Sequence, residues 1–232
     1  MKRFEQRIGR GVIVSVQLDE GEPLHTPQHC ALFAQAATAG GASAVRAEGI
    51  PNIQEVRATT SIPLIGCVRS DYGDGWVLVT PDIDAVDQLF RLGVDALALD
   101  ATSRHRPGTN GTGLDFLAEA RSRYPELPIV ADISTFDEGM RGAELGASAL
   151  STSLCGRTKE TYEQALSAMP NIELVTRLAS QISIPILAEG YIWTTEDARA
   201  AIDAGAYAAV VGGAITRPRV LTQLFVNAVT SK

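Results

Sequence analysis

Eight short apolar runs recur along the chain, each separated from the next by a longer amphipathic segment. They are Gly11–Gln17, Ser43–Gly49, Pro63–Arg69, Asp95–Thr102, Pro128–Ser134, Ser148–Leu154, Pro185–Gly190 and Tyr207–Gly213. Each is nearly continuous in apolar residues, as expected of parallel strands covered on both faces. The segments between them carry helical periodicity and end in glycine. Examples are IDAVDQLFRLG, FDEGMRGAELG and TEDARAAIDAG, closing on Gly93, Gly146 and Gly205. Glycine after the last turn supplies a left-handed cap. Strand and helix in strict alternation predict a parallel sheet. Eight such units in 232 residues predict a closed (β/α)8 TIM barrel of the α/β class, one domain over residues 1–232. The competing open doubly wound sheet lacks its fingerprint, since no GxGxxG follows the first strand. One stretch is less regular. Trp76–Thr80 reads as a short extra strand or as an extension before the next helix.

Bulk properties narrow the function classes. A net charge of -7 argues against a nucleic-acid or membrane-surface partner. Cys30, Cys67 and Cys155 have no ligand-like spacing, so neither a disulfide framework nor a zinc site is expected, and a reducing cytoplasm is the natural setting. The opening MKRFEQRIGRG lacks the apolar stretch of a signal peptide, and no run has membrane-spanning length. The cations are nearly all arginine; the lysines are Lys2, Lys159 and Lys232.

Barrel active sites lie at the C-terminal ends of the strands. The polar residues there form a coherent set. Ser15 and Gln17 end the first strand, Arg46 and Glu48 the second, Arg69 the third, and Asp100 and Asp132 the fourth and fifth. Thr152 and Ser153 end the sixth, Glu189 the seventh, and Gly212 and Gly213 the eighth, with Arg217 following. The eighth unit, VVGGAITRP, puts two glycines at a strand-to-helix turn, where backbone N–H groups can approach a ligand closely. With Gly190 and Arg217 beside it, this turn is the expected phosphate site.

Glu189 in PILAEG is the expected general acid/base, because burial at a barrel mouth raises a carboxyl pKa. An ion pair to Arg46, Arg69 or Arg217 is its structural alternative, and the two are compatible. Asp100 and Asp132 suit recognition of hydroxyls or amides; without histidine at the strand ends, no metal is expected. Glu48 is read as a brace for the second strand end. His25, His29 and His105 are read as solvated loop residues. The polar segment Cys155–Glu163 reads either as a lid or as a solvated excursion.

Taken together, VSVQ, AVRAEG, PLIGCVRSDY, ALDAT followed by RP, ADIST, STSL, PILAEG and VVGGAITRP resemble the N-acetylmannosamine-6-phosphate 2-epimerases, over nearly the whole chain and in the same order. The resemblance implies a cofactor-free isomerase of amino-sugar and sialic-acid breakdown. Its substrate is a phosphosugar, N-acetylmannosamine 6-phosphate, converted to N-acetylglucosamine 6-phosphate by proton exchange at C2. It implies sugar contacts at Gln17, Arg46 and Asp132; Thr152, as a polar strand end, is counted as a further substrate contact. It also implies phosphate contacts at Gly190, Gly212, Gly213 and Arg217, catalysis by Glu189, and a homodimer.

One position departs from the family pattern. Where the resemblance implies a catalytic lysine, two residues intervening after Pro-Leu-Ile-Gly, the chain has Arg69. Deprotonating lysine at neutral pH costs roughly 4–5 kcal/mol and arginine about 7–9 kcal/mol. Arginine is better suited to hydrogen-bond a developing enolate oxygen. Glu189, or another carboxylate such as Asp132, must then manage the protons. The rival readings are an epimerase or isomerase of a related amino-sugar phosphate, and a non-catalytic phosphosugar-binding protein.

Overall fold

In the computed structural model, residues 3–18 and 21–230 are described; Lys2 and Lys232 lie outside them. The strands are β1 (Gly11–Ser15), β2 (Ala44–Glu48), β3 (Leu64–Cys67), β4 (Arg69–Asp71), β5 (Val77–Val79), β6 (Ala96–Asp100), β7 (Ile129–Asp132), β8 (Ala149–Ser151), β9 (Ile186–Glu189) and β10 (Ala208–Val211). The helices are α1 (Phe4–Arg7), α2 (Pro27–Ala39), α3 (Ile50–Thr59), α4 (Ile83–Arg91), α5 (Gly113–Arg123), α6 (Phe136–Glu144), α7 (Tyr162–Leu166), α8 (Ile172–Gln181), α9 (Thr195–Asp203), α10 (Gly213–Thr216) and α11 (Pro218–Thr230). A 3-10 turn at Lys159–Thr161 precedes α7.

Eight strands close into a barrel in the order β1-β10-β9-β8-β7-β6-β3-β2, and every pair in it is parallel. All eight expected strands are present. They are shorter than the apolar runs, because the chain leaves the ladder where each loop turns away at the rim.

The irregular stretch resolves into an antiparallel hairpin, β4 with β5, pairing Arg69 with Val79 and Asp71 with Val77. This corrects the third strand, which ends at Cys67; Arg69 opens the hairpin instead. Thr80 causes the break. Its N–H donates to the Val68 carbonyl and its hydroxyl to the Ala98 carbonyl (2.6 Å each), and its hydroxyl also accepts from the Val68 N–H. These bonds tie the hairpin base to the barrel wall.

Period-2 alternation divides each strand between two cores. Ile13, Ala44, Ile65, Ala96, Ala98, Val130, Ala149, Leu187, Ala208 and Val210 fill the barrel interior. Val14, Val45, Leu64, Leu97, Leu99, Ile129, Ala131, Leu150, Ile186 and Ala209 face the surrounding helices. At the N-terminal end, Phe4 and Ile8 join the interior cluster. Phe4 packs edge-on against Tyr207, whose hydroxyl donates to the Ile8 carbonyl at 2.9 Å. α1 thus plugs the bottom of the barrel and leaves the opposite end for chemistry. Capping boxes at Thr112/Asp115, Thr135/Glu138 and Thr194/Asp197 start three of the helices that follow the strands at that rim.

Candidate active site

Continuing the inward alternation to the strand ends brings Ser15, Arg46, Cys67, Asp100, Asp132, Ser151 and Glu189 to one polar layer above the apolar core. Arg46 is its centre. The guanidinium is 2% exposed and spans the barrel. Nη1 donates to Asp132 Oδ1 (2.9 Å) and Glu189 Oε2 (2.6 Å), and Nη2 donates to Asp132 Oδ2 (2.5 Å). Ser151 Oγ donates to the same Glu189 oxygen at 2.9 Å. Burial raises the Glu189 pKa above the ordinary carboxylate range, Arg46 pulls it down, and the neighbouring Asp132 pushes it up again. Burial opposes the charge on Arg46, but the two carboxylates outweigh it and hold the guanidinium firmly protonated. The Glu189 side chain keeps 13% exposure, while Asp132 has none.

A cavity of about 420 Å³ opens over this layer. Gln17, Arg46, Arg69, Glu189, Gly190, Gly212, Gly213 and Arg217 all line it. The structure therefore gathers most of the expected site residues from six separate places along the chain. Gly190 has φ +112°, a conformation that favours glycine, and a Cβ there would meet open space. A Cβ on Gly213 would lie 2.6 Å from Trp193 Cη2, so the glycine makes room for the indole against the turn. Arg217 donates from Nη2 to the Gln17 carbonyl at 3.2 Å.

Three expected residues occupy different places. Asp132 does not line the cavity, and both its oxygens accept from Arg46. Thr152 is also absent from the wall. Its hydroxyl donates to the Glu189 carbonyl (2.9 Å) and accepts from the Glu189 N–H (3.0 Å), fixing the backbone that carries the glutamate. Ser153, one step on in the alternation, lines the cavity in its place. Asp100 is fully buried and anchors a loop, accepting from Arg104 (2.6 Å), the Thr102 hydroxyl (2.7 Å) and the Tyr72 hydroxyl (3.2 Å).

Glu48 Oε1 accepts from the Arg69 N–H at 3.2 Å, so the expected brace joins two adjoining strand ends. His29 bonds Thr26 at the start of α2, and His105 pairs with Thr112 across its loop. The Cys155–Glu163 segment brings Arg157 to the cavity wall, and Tyr162 packs edge-on against Trp76 of the hairpin, centroids 5.7 Å apart. Sequence reasoning missed Arg157, Tyr191 and Trp193. Nothing in their local pattern distinguishes them from ordinary loop residues. Four arginines, at positions 46, 69, 157 and 217, line this one cavity, which favours an anionic occupant.

Comparison with known proteins bears on what that occupant is. Residues 30–231 match the family described as "Putative N-acetylmannosamine-6-phosphate epimerase". A protein of Caldanaerobacter subterraneus described as "Putative N-acetylmannosamine-6-phosphate 2-epimerase" is 44% identical over 96% of this chain and 92% of its own length. A protein of an Enterobacter species with the same description is 39% identical over 94% and 92%. The solved structure of the N-acetylmannosamine-6-phosphate 2-epimerase from Clostridium perfringens superposes with a TM-score of 0.87 at 37% identity, covering 97% of this chain and 95% of that one. Thiamine phosphate pyrophosphorylase from Pyrococcus furiosus, at 16% identity and TM-score 0.59, shares the fold alone. The chain belongs to the N-acetylmannosamine-6-phosphate epimerase family.

Proposed function

We propose that the protein is an N-acetylmannosamine-6-phosphate 2-epimerase, interconverting that sugar phosphate and N-acetylglucosamine 6-phosphate. The observation that carries the reading is Glu189. It is a carboxylate held at the cavity floor by Arg46 and Ser151, with its pKa raised by burial, beneath a wall of arginines. A carboxyl tuned upward is a better proton acceptor when ionised than an ordinary one, and it returns the proton from the same position. The open-chain substrate carries an acidic C2–H beside its aldehyde. Removing that proton leaves charge on O1, and returning it to the other face inverts C2.

In this reading Arg69 hydrogen-bonds O1 as charge develops, a role that asks no guanidinium to ionise. Gly190, Gly212, Gly213 and Arg217 hold the phosphate at the opposite rim. Gln17 and Ser153 contact the sugar. Arg46 and Asp132 act one step back, Arg46 positioning Glu189 and Asp132 holding Arg46.

The protein acts as a homodimer in this proposal. α11 supports it: none of its residues is buried, and Leu224 (47%), Phe225 (69%) and Val229 (82%) are exposed. A helix of 13 residues gains most of its stability from packing an apolar face. Among the described residues no helix is long and apolar enough to cross a membrane.

The test is to incubate the purified protein with N-acetylmannosamine 6-phosphate in deuterated water and follow C2 by NMR. The expected product is N-acetylglucosamine 6-phosphate carrying deuterium at C2. Tight binding with neither exchange nor epimerisation would instead identify a phosphosugar-binding protein, the reading that Arg69 in the lysine position favours.

A further inference from the structure

Inverting a carbon centre by proton transfer needs a group on each of its faces. A single carboxylate fixed by Arg46 and Ser151 serves one face. The second group has to be found on the opposite wall, and barrel closure says where that wall is. In the order β1-β10-β9-β8-β7-β6-β3-β2, the strand bearing Glu189 (β9) and the strand leading to the hairpin (β3) stand half a turn apart whichever way round they are counted. The hairpin therefore rises across the mouth from Glu189.

Its geometry turns one face inward. Arg69 and Asp71 are two residues apart on β4, hence on the same side, and their partners Val79 and Val77 share that side. All four line the cavity, as does Ser70 between Arg69 and Asp71. Among the described residues, Glu189 and Asp71 are the carboxylates on the cavity wall. The other acidic groups near it are poorly placed. Asp132 is enclosed with both oxygens on Arg46. Tyr191 follows Glu189 by two residues and comes from the same strand end. Burial pushes the Cys67 thiol up to about 12, and it donates to the Ala47 carbonyl at 3.6 Å. Arginine keeps its proton far above neutral pH and is a poor base. Asp71, by contrast, is exposed, and its Oδ1 is held by the Gly73 N–H at 2.5 Å.

We propose that Asp71 is the second proton-transfer group, serving the face of C2 opposite Glu189 while the Arg69 guanidinium on the same hairpin face bonds O1. The inference rests on the epimerase reading above. In one direction the C2–H bond breaks and its proton passes to Asp71. The electron pair moves through C1 to O1, giving an enolate bonded to Arg69. Glu189 then delivers its proton to the other face of C2, and the pair on O1 returns to rebuild the carbonyl. Asp71 is left protonated and Glu189 ionised, and exchange with water restores both. The reverse reaction exchanges the two roles.

The experiment compares wild type, Asp71→Asn and Glu189→Gln in deuterated water, starting separately from each epimer and following both exchange and epimerisation. Asp71→Asn is expected to lose roughly 10²- to 10⁴-fold in epimerisation, the usual worth of a positioned acid or base. It should still exchange the C2 proton of one epimer, the one whose hydrogen faces Glu189. Glu189→Gln should show the mirror pattern, exchanging the other epimer only. Asp71→Glu should recover part of the rate. An unaltered far-ultraviolet spectrum and melting temperature are expected for Asp71→Asn, because the side chain is exposed. Epimerisation by Asp71→Asn within a few-fold of wild type overturns the proposal, as does equal loss of exchange from both epimers. Wild-type protein that neither exchanges nor epimerises overturns the epimerase reading and this proposal with it. Those failures are distinguishable, because only the last silences the unmodified protein.

Discussion

Replacing Arg46 by methionine removes the single cation that lies between two buried carboxylates. Methionine roughly preserves the volume, so the loss is mainly electrostatic. Three charge-assisted hydrogen bonds disappear, two from Asp132 and one from Glu189. Breaking a buried pair by removing one partner costs about 3–5 kcal/mol, because the remaining charge is left uncompensated. For a chain of this size about 1 kcal/mol moves the melting temperature by roughly 2–4 °C, so a fall of roughly 6–20 °C is expected.

The pH dependence carries the sharper test. Burial already holds Glu189 above the ordinary range, Arg46 is the influence pulling it down, and Asp132 pushes it up. Without Arg46 the folded pKa climbs further. A group whose folded pKa exceeds its unfolded value contributes its full stability below the unfolded pKa, near 4.3, and loses it as pH rises through the folded one. The deficit of Arg46→Met relative to wild type should therefore widen as pH rises above the unfolded value and through the range where Glu189 ionises in the folded protein. Thermal unfolding followed by circular dichroism across that range measures it. Adding Asp132→Asn should recover part of the loss. A melting temperature within a few degrees of wild type, or a deficit that does not change with pH, would refute the electrostatic account of this layer.

The hairpin and the last helix supply the other tests. Arg69→Ala is expected to lower kcat by roughly 10²- to 10³-fold, the usual worth of one oxyanion donor, with a smaller change in KM. An unchanged rate in Arg69→Ala, together with a rise of orders of magnitude in Arg69→Lys, would refute the electrophile role. Phe225→Glu combined with Val229→Glu places charge on the apolar side of α11 and is expected to shift the protein from dimer to monomer in analytical ultracentrifugation. A wild-type protein that sediments as a monomer would remove the dimer proposal.

Much of this molecule is legible locally. The eight strands could be recognised because each is buried on both faces and so reads as a continuous apolar run. The hairpin was only half visible. Trp76–Thr80 has strand character, and Val77–Val79 is a strand. Its partner begins on Arg69, the last residue of the third apolar run, and was hidden because the break at Val68 is made by Thr80, twelve residues later. Thr152 shows the same limit. As a polar residue at a strand end it looked like a ligand contact, yet its hydroxyl is committed to the backbone of Glu189, 37 positions away.

By itself, then, the sequence determined the order of strands and helices, the closed architecture, and which polar residues stand at the rim. Those follow from periodicity and from end signals only a few residues long. Which rim groups meet was decided by closure of the barrel. Arg46 reaches Asp132 across 86 residues of chain and Glu189 across 143. Glu189 and the hairpin carrying Asp71 share one cavity because β9 and β3 stand half a turn apart. Separation along the chain carries no information about distance across a barrel mouth. Register and inward alternation set that distance, and both exist only once the eighth strand has paired with the first.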